Sequence, residues 1–114
     1  RGMSSGHRGL DINAPTGEPI FACQEGTVIT AGWHYSYGYH VVIDHGDGMT
    51  TLYAHCSSLD VEAGQHVVRG DLIGRIGSTG NSTGPHCHLE FQLNGALLNP
   101  MDYLTTPDGY RMGR

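Results

Sequence analysis

Two stretches of the chain alternate between apolar and polar positions. In His86–Leu93 one set of alternate residues is His86, His88, Glu90 and Gln92; the other is Cys87, Leu89, Phe91 and Leu93. In residues 50–56 one set is Thr51, Tyr53 and His55; the other is Thr50, Leu52, Ala54 and Cys56. A two-residue period belongs to a β-strand, whose successive side chains point to opposite faces. Each strand is expected to bury its apolar set and to leave open a polar face that carries imidazoles. Further strands are predicted over residues 19–23, 26–32, 39–44 and Leu72–Ile76, separated by glycine-rich turns. Helical periodicity is almost absent, the best candidate being the short stretch 57–63, which ends at Gly64. Regular turns at this spacing predict an all-β antiparallel fold, a two-sheet sandwich or partly open barrel whose open groove is the place for function.

Composition narrows the class. A chain of 114 residues and 12.3 kDa is expected to be one domain, residues 1–114. With 38% hydrophobic and 15% charged residues it fits neither a coiled coil nor a disordered chain. No apolar run approaches the ~20 residues of a membrane-spanning helix, and no membrane contact is expected of this chain. The opening RGMSSGHRG lacks the apolar core of a signal peptide, so an exported parent would contain this chain as a trimmed piece. The net charge of -5 argues against a nucleic-acid partner. All six basic residues are arginine, which excludes Schiff-base chemistry, P-loops and lysine-attached carriers. That matters because residues 63–71, AGQHVVRGD, resemble the turns of biotinyl and lipoyl carriers. Cys23, Cys56 and Cys87 allow either one disulfide with a free thiol or three thiols, and they form no CxxC pair.

Eight histidines are many for this length. Two groups stand out: His7-Arg8-Gly9-Leu10-Asp11 and Pro85-His86-Cys87-His88. An HxH on a strand puts both rings on one face, within reach of one ion. Two histidines and one aspartate suit Zn²⁺ with a fourth position left for water, the arrangement of a catalytic site. Strand geometry alone does not choose between His86 and His88 as the ligand. It does allow His55, His86 and His88 to share one face if their strands are neighbours. Glu90 shares the face of His88, either as its support or as a solvated strand carboxylate. Cys56 and Cys87 each follow an imidazole and so face away from it, which argues against a Cys–His nucleophile pair. The tyrosines Tyr35, Tyr37 and Tyr39 lie in a glycine-punctuated loop that could grip a substrate or lid the core.

These segments together resemble the M23 zinc metallopeptidases, the LytM and lysostaphin-type peptidoglycan endopeptidases. The likeness is carried by His7 to Ile12 with Ala14-Pro15-Thr16-Gly17, by Tyr53-Ala54-His55, by the run from Gly77 to Glu90, and by Asn99-Pro100. The resemblance implies Zn²⁺ ligands at His7, Asp11 and His88, with His55 and His86 catalytic rather than ligating. It implies a zinc metalloendopeptidase that cleaves peptidoglycan stem peptides or cross-bridges by zinc-activated water. Without an HExxH, one of the two histidines must accept the water proton, in either order. Activity is expected to fall below about pH 6, because ligating imidazoles must be neutral. The implied setting is the bacterial cell envelope or a secreted enzyme, within a complex of envelope proteins where the parent belongs to one. The alternative is an inactive cell-wall-binding or scaffold relative, although every ligand position is filled. Family domains extend upstream of the first metal histidine, and only six residues precede His7, so a truncated N-terminal portion is expected. The family has leucine at both Cys56 and Cys87, so the paired change suggests that the two cysteines touch, as thiols or as a disulfide.

Overall fold

A computed structural model describes residues 10–98. They form nine strands: β1 (Leu10–Asn13), β2 (Pro19–Phe21), β3 (Gly26–His34), β4 (Gly38–Gly46), β5 (Met49–Leu59), β6 (His66–Val67), β7 (Leu72–Ile76), β8 (His86–Leu93) and β9 (Ala96–Leu98). There is no helix among the described residues. The pairings between these strands are antiparallel, and the main sheet runs β1-β8-β5-β4-β3-β6. From β5 a branch leads to β7 and on to β2, while β9 extends the outer edge of β8. The result is an open, branched all-β sheet rather than a closed barrel.

The branch is made within β5. Its first part, Met49 to Ala54, lies against β8 from Leu93 to His88. Its last part, Cys56 to Leu59, lies against β7 from Ile76 to Gly74. The residue between them, His55, has a φ of 65°, a left-handed backbone that is uncommon for a residue with a Cβ. The ladder to β4 shifts register at the same place. The His55 N–H leaves the regular ladder and donates to the Tyr37 carbonyl at 2.7 Å. Such a bulge bends the strand and re-aims one side chain. The connection from β7 to β8 starts at Gly77, where a Cβ would lie 2.4 Å from the Ser57 backbone nitrogen. Only glycine lets the two chains pass that closely.

The bulge overturns the expected faces of β5. Residues directly opposite in a ladder share a face. Tyr53 opposes Leu89 and Thr51 opposes Phe91, so Thr51 and Tyr53 face the core; Leu52 and Ala54 lie with Glu90 and His88 on the other side. The Tyr53 hydroxyl makes this burial acceptable, since it accepts from the Cys23 N–H and the Thr51 hydroxyl, both at 3.0 Å. The apolar set of β8 behaves as expected: Cys87, Leu89 and Phe91 join Leu10, Val28, Val41, Ile43, Ile73 and Val67 in the core. The helix expected over 57–63 is absent, because Ser58 and Leu59 continue β5 by pairing with Arg75 and Gly74. The strands β1, β6 and β9 were not anticipated; they are four, two and three residues long, too short for a period to register.

All three cysteines are free. Cys56 and Cys87 are both buried in the one core cluster. Burial pushes the Cys56 thiol up to about 12 and raises that of Cys87 as well. Neither is a thiolate at neutral pH, in keeping with the exclusion of a cysteine nucleophile.

Candidate metal centre and active site

The fork in β5 gathers the predicted residues. Asp11 on β1 directly opposes His88 on β8, and Ala54 of β5 opposes His88 from the other side. Because β8 alternates cleanly, His86, His88 and Glu90 stand on the groove face together. His55 reaches the same face only through its left-handed backbone: after Tyr53 points to the core and Ala54 away, regular alternation would send His55 inward. Its ring centroid lies 4.8 Å from that of His86 and 6.3 Å from that of His88. The structure therefore brings together Asp11, His55, His86 and His88. His7 lies outside the described residues, as do Asn99 and Pro100.

His88 is held at both ring nitrogens. Nδ1 is 2.7 Å from Asp11 Oδ1, and Nε2 is 2.9 Å from Glu90 Oε2. Glu90 is 2% exposed, so it is not a solvated strand carboxylate. Its Oε1 accepts from Gln92 Nε2 at 3.3 Å, and its Oε2 also accepts from the Tyr37 hydroxyl at 3.4 Å. Burial by itself raises the Glu90 carboxyl, but the hydrogen bond and charge of His88 outweigh it and hold the group below its ordinary value. His88 is raised, first by its hydrogen bond to Glu90 and then, against burial, by Asp11.

This donor set suits a cation. A neutral imidazole has one N–H. If Nε2–H donates to buried Glu90, then Nδ1 presents a lone pair to a carboxylate oxygen 2.7 Å away. Two lone pairs repel unless a proton or a metal ion is shared between them. A ligating histidine whose other nitrogen is fixed by a carboxylate is the usual support of a zinc ligand. Among the described residues no group of three His, Cys, Asp or Glu is arranged to hold an ion; the described part of the centre is the pair Asp11–His88.

The other two imidazoles are anchored by carbonyls. His55 donates from Nδ1 to the Thr79 carbonyl at 2.7 Å. His86 donates from Nδ1 to the Gly84 carbonyl at 2.8 Å, with the Ser82 hydroxyl at 3.2 Å. A carbonyl only accepts, so in both neutral rings the proton is on Nδ1 and the lone pair is on Nε2. His86 Nε2 lies 4.0 Å from Asp11 Oδ1. Burial lowers the pKa of His55, and the bond to Thr79 offsets this only in part.

The model of peptidase family M23 matches residues 5–100 of the chain. The chain belongs to that family. Among curated relatives, this M23 domain is 44% identical over 103 residues to DD-carboxypeptidase/endopeptidase Mpg of Neisseria meningitidis, covering 90% of this chain and 24% of that protein. It is 40% identical over 99 residues to peptidoglycan DD-endopeptidase ShyC of Vibrio cholerae, covering 87% and 23%. Among solved structures, a zinc-containing peptidase from Vibrio cholerae superposes with a TM-score of 0.78 at 30% identity, covering 86% of this chain and 34% of that one. The M23 domain thus spans about a quarter of the length of the curated relatives it matches.

Two contributors to the site lie in stretches singled out above, Thr79 in the run from Gly77 to Glu90 and Tyr37 in the aromatic loop, but neither had a role assigned from the sequence. Thr79 acts through its carbonyl and hydroxyl. Tyr37 acts through its hydroxyl from the connection between β3 and β4, 53 residues from Glu90. The aromatic loop is not a core lid, because Tyr35 and Trp33 are exposed. His34 caps that loop, its Nδ1 accepting from the N–H groups of Ser36 and Tyr37 at 3.0 and 3.2 Å.

Proposed function

We propose that this M23 domain is the catalytic part of a zinc metalloendopeptidase that hydrolyses peptide bonds of peptidoglycan, in the bacterial envelope or outside the cell. The observation that carries the reading is His88 clamped between Asp11 and buried Glu90, with His55 and His86 beside it on one open face. The names of the relatives Mpg and ShyC favour a D,D linkage of the stem peptides over a glycine cross-bridge. The peptidoglycan in the name of ShyC also supplies the setting in which a complex of envelope proteins would include this domain.

Asp11 and His88, with His7, would hold the zinc ion. When bound, zinc polarises a scissile carbonyl and lowers the pKa of water toward ~7. The remaining chemistry belongs to the chain. His55 is the base: burial keeps it neutral at working pH, and its Nδ1 proton is committed to Thr79, so Nε2 is free to accept the proton of the attacking water. His86 carries the complementary role. Its Nε2, 4.0 Å from Asp11 Oδ1, faces the same groove as His55 and is placed to act on the developing oxyanion and the leaving amine. Glu90 and Tyr37 hold His88 in the orientation its partners need.

The test is metal analysis of the purified chain alongside mass spectrometry of digested peptidoglycan. The expected result is about one zinc per chain and new amine termini in the released muropeptides. Intact muropeptides with a zinc-loaded chain would overturn the catalytic reading and favour a binding module.

A further inference from the structure

One residue outside the metal and histidine set is tied to the site from three sides. The Thr79 carbonyl accepts the Nδ1 proton of His55 at 2.7 Å. The Thr79 hydroxyl donates to the Cys56 carbonyl at 2.6 Å and accepts from the Tyr39 N–H at 3.2 Å. Its hydroxyl therefore grips the residue that follows His55, while its carbonyl grips the ring of His55 itself. The surrounding backbone leaves no slack. A Cβ at Gly38 would lie 2.4 Å from Thr79 Oγ1, and one at Gly80 would lie 2.3 Å from the Gly38 nitrogen. The Asn81 N–H closes the seam by donating to the Ser36 carbonyl at 2.8 Å.

We propose that Thr79 is the positioning residue for His55: its hydroxyl registers the β7–β8 loop against the β5 bulge, so that its carbonyl fixes His55 as the Nδ1–H tautomer with Nε2 facing the groove. The need for such a device follows from the backbone. His55 sits at a φ of 65°, off the strand path, and regular pairing does not orient its side chain. A carbonyl on a loop can drift unless the loop is fastened close to its target. The hydroxyl bond to Cys56 places that fastening on the neighbouring peptide. A small displacement of a reacting group costs rate rather than substrate binding, so the effect belongs in kcat. The kinetic half of this proposal rests on the hydrolase reading; the tautomer half does not.

The test uses the chain labelled with ¹⁵N in its imidazoles, with the His55 signals assigned by their loss in His55→Gln. The wild type is expected to show the Nδ1–H tautomer alone. Thr79→Val keeps the shape and removes the hydroxyl; it is expected to show both tautomers, a kcat lowered by about 10- to 10²-fold on peptidoglycan, and little change in KM. Thr79→Ser, which restores the hydroxyl, is expected to recover the single tautomer and most of kcat. An Nε2–H tautomer in the wild type overturns the proposal without any variant. So does a Thr79→Val protein with an unchanged tautomer and unchanged kcat. Should the valine variant fail to fold, Thr79→Ala, which only removes atoms, is held to the same outcome. A wild type that cleaves nothing while showing the expected tautomers defeats the hydrolase reading and leaves the role of Thr79 standing.

Discussion

Among the described residues there are two histidine–glutamate pairs of equal length, near opposite edges of the sheet. His88 meets Glu90 at 2.9 Å on β8, and His66 on β6 meets Glu25 at 2.9 Å. The side chains of the first pair are 18% and 3% exposed; those of the second are 59% and 67% exposed. Distance does not separate them, but solvent does. An exposed pair in water gains little, whereas removing one member of a buried pair leaves its partner uncompensated. The neighbourhoods differ as well. Around His88 stand Asp11, His86 and His55. Next to the exposed pair, His45 spends both nitrogens on the Glu25 carbonyl and the Thr51 hydroxyl. A short His–carboxylate contact marks a functional place only where burial and convergent neighbours accompany it.

The sharpest way to break this contrast is substitution at each end. His88→Ala is expected to lose bound zinc and, with it, all measurable hydrolysis, read by metal analysis and muropeptide release. His55→Ala is expected to keep zinc and lose about 10²- to 10⁴-fold in kcat; loss of zinc there would make His55 a ligand. Glu90→Gln is expected to weaken zinc affinity by about 10- to 100-fold, read by competition with a chelator. Unchanged affinity would demote Glu90 to a packing role. At the exposed edge, His66→Ala should leave hydrolysis intact and change stability by less than about 1 kcal/mol, measured by denaturant unfolding.

A pH series sharpens the comparison further. His88 is raised above its ordinary 6.5 by Glu90 and Asp11, so its protonated form stabilises the fold without zinc. That stabilisation is complete below the unfolded value and fades as pH rises through the folded one. Zinc binding needs the neutral ring and runs the other way. Chelator-treated protein is therefore expected to melt at lower temperature as pH rises from about 6 to 8, while the increase in Tm caused by added zinc grows over the same window. Parallel curves with and without zinc would remove His88 from the centre. Glu90 acts in the opposite sense in the acid range: held below its ordinary value, it contributes stability above that value and loses it as pH falls through the folded one.

The sequence made the site more legible than its scaffolding. Residue type and spacing singled out Asp11, His55, His86 and His88, the resemblance to M23 peptidases implied their separate roles, and the alternation of β8 put two of them on one face. In β5 the same rule pointed the wrong way. It assigned Tyr53 to the open face because hydropathy treats its hydroxyl as a reason for exposure. Thr51 and the Cys23 N–H satisfy that hydroxyl inside, and both partners are invisible in a one-dimensional pattern. His55 reached its predicted face for a different reason, the left-handed bulge, since nothing in Tyr53-Ala54-His55 announces a positive φ. The helix over 57–63 failed because pairing with β7, a long-range contact, outweighed a weak local preference. Thr79 lies within the run from Gly77 to Glu90, but its role was not legible because a backbone carbonyl has no sequence letter.

One consequence of the His55 kink concerns how this site could be moved or altered. Along β5 the inward positions carry odd numbers up to Tyr53 and resume on an even one at Cys56, so the kink acts as a parity change written into a single backbone angle. Residue count across it is fixed: removing or adding one position beside His55 would swap the inward and outward roles of everything on one side. An engineer transplanting the imidazoles onto a regular sheet would find His55 facing the wrong way, and would have to carry the irregular backbone across together with the ring.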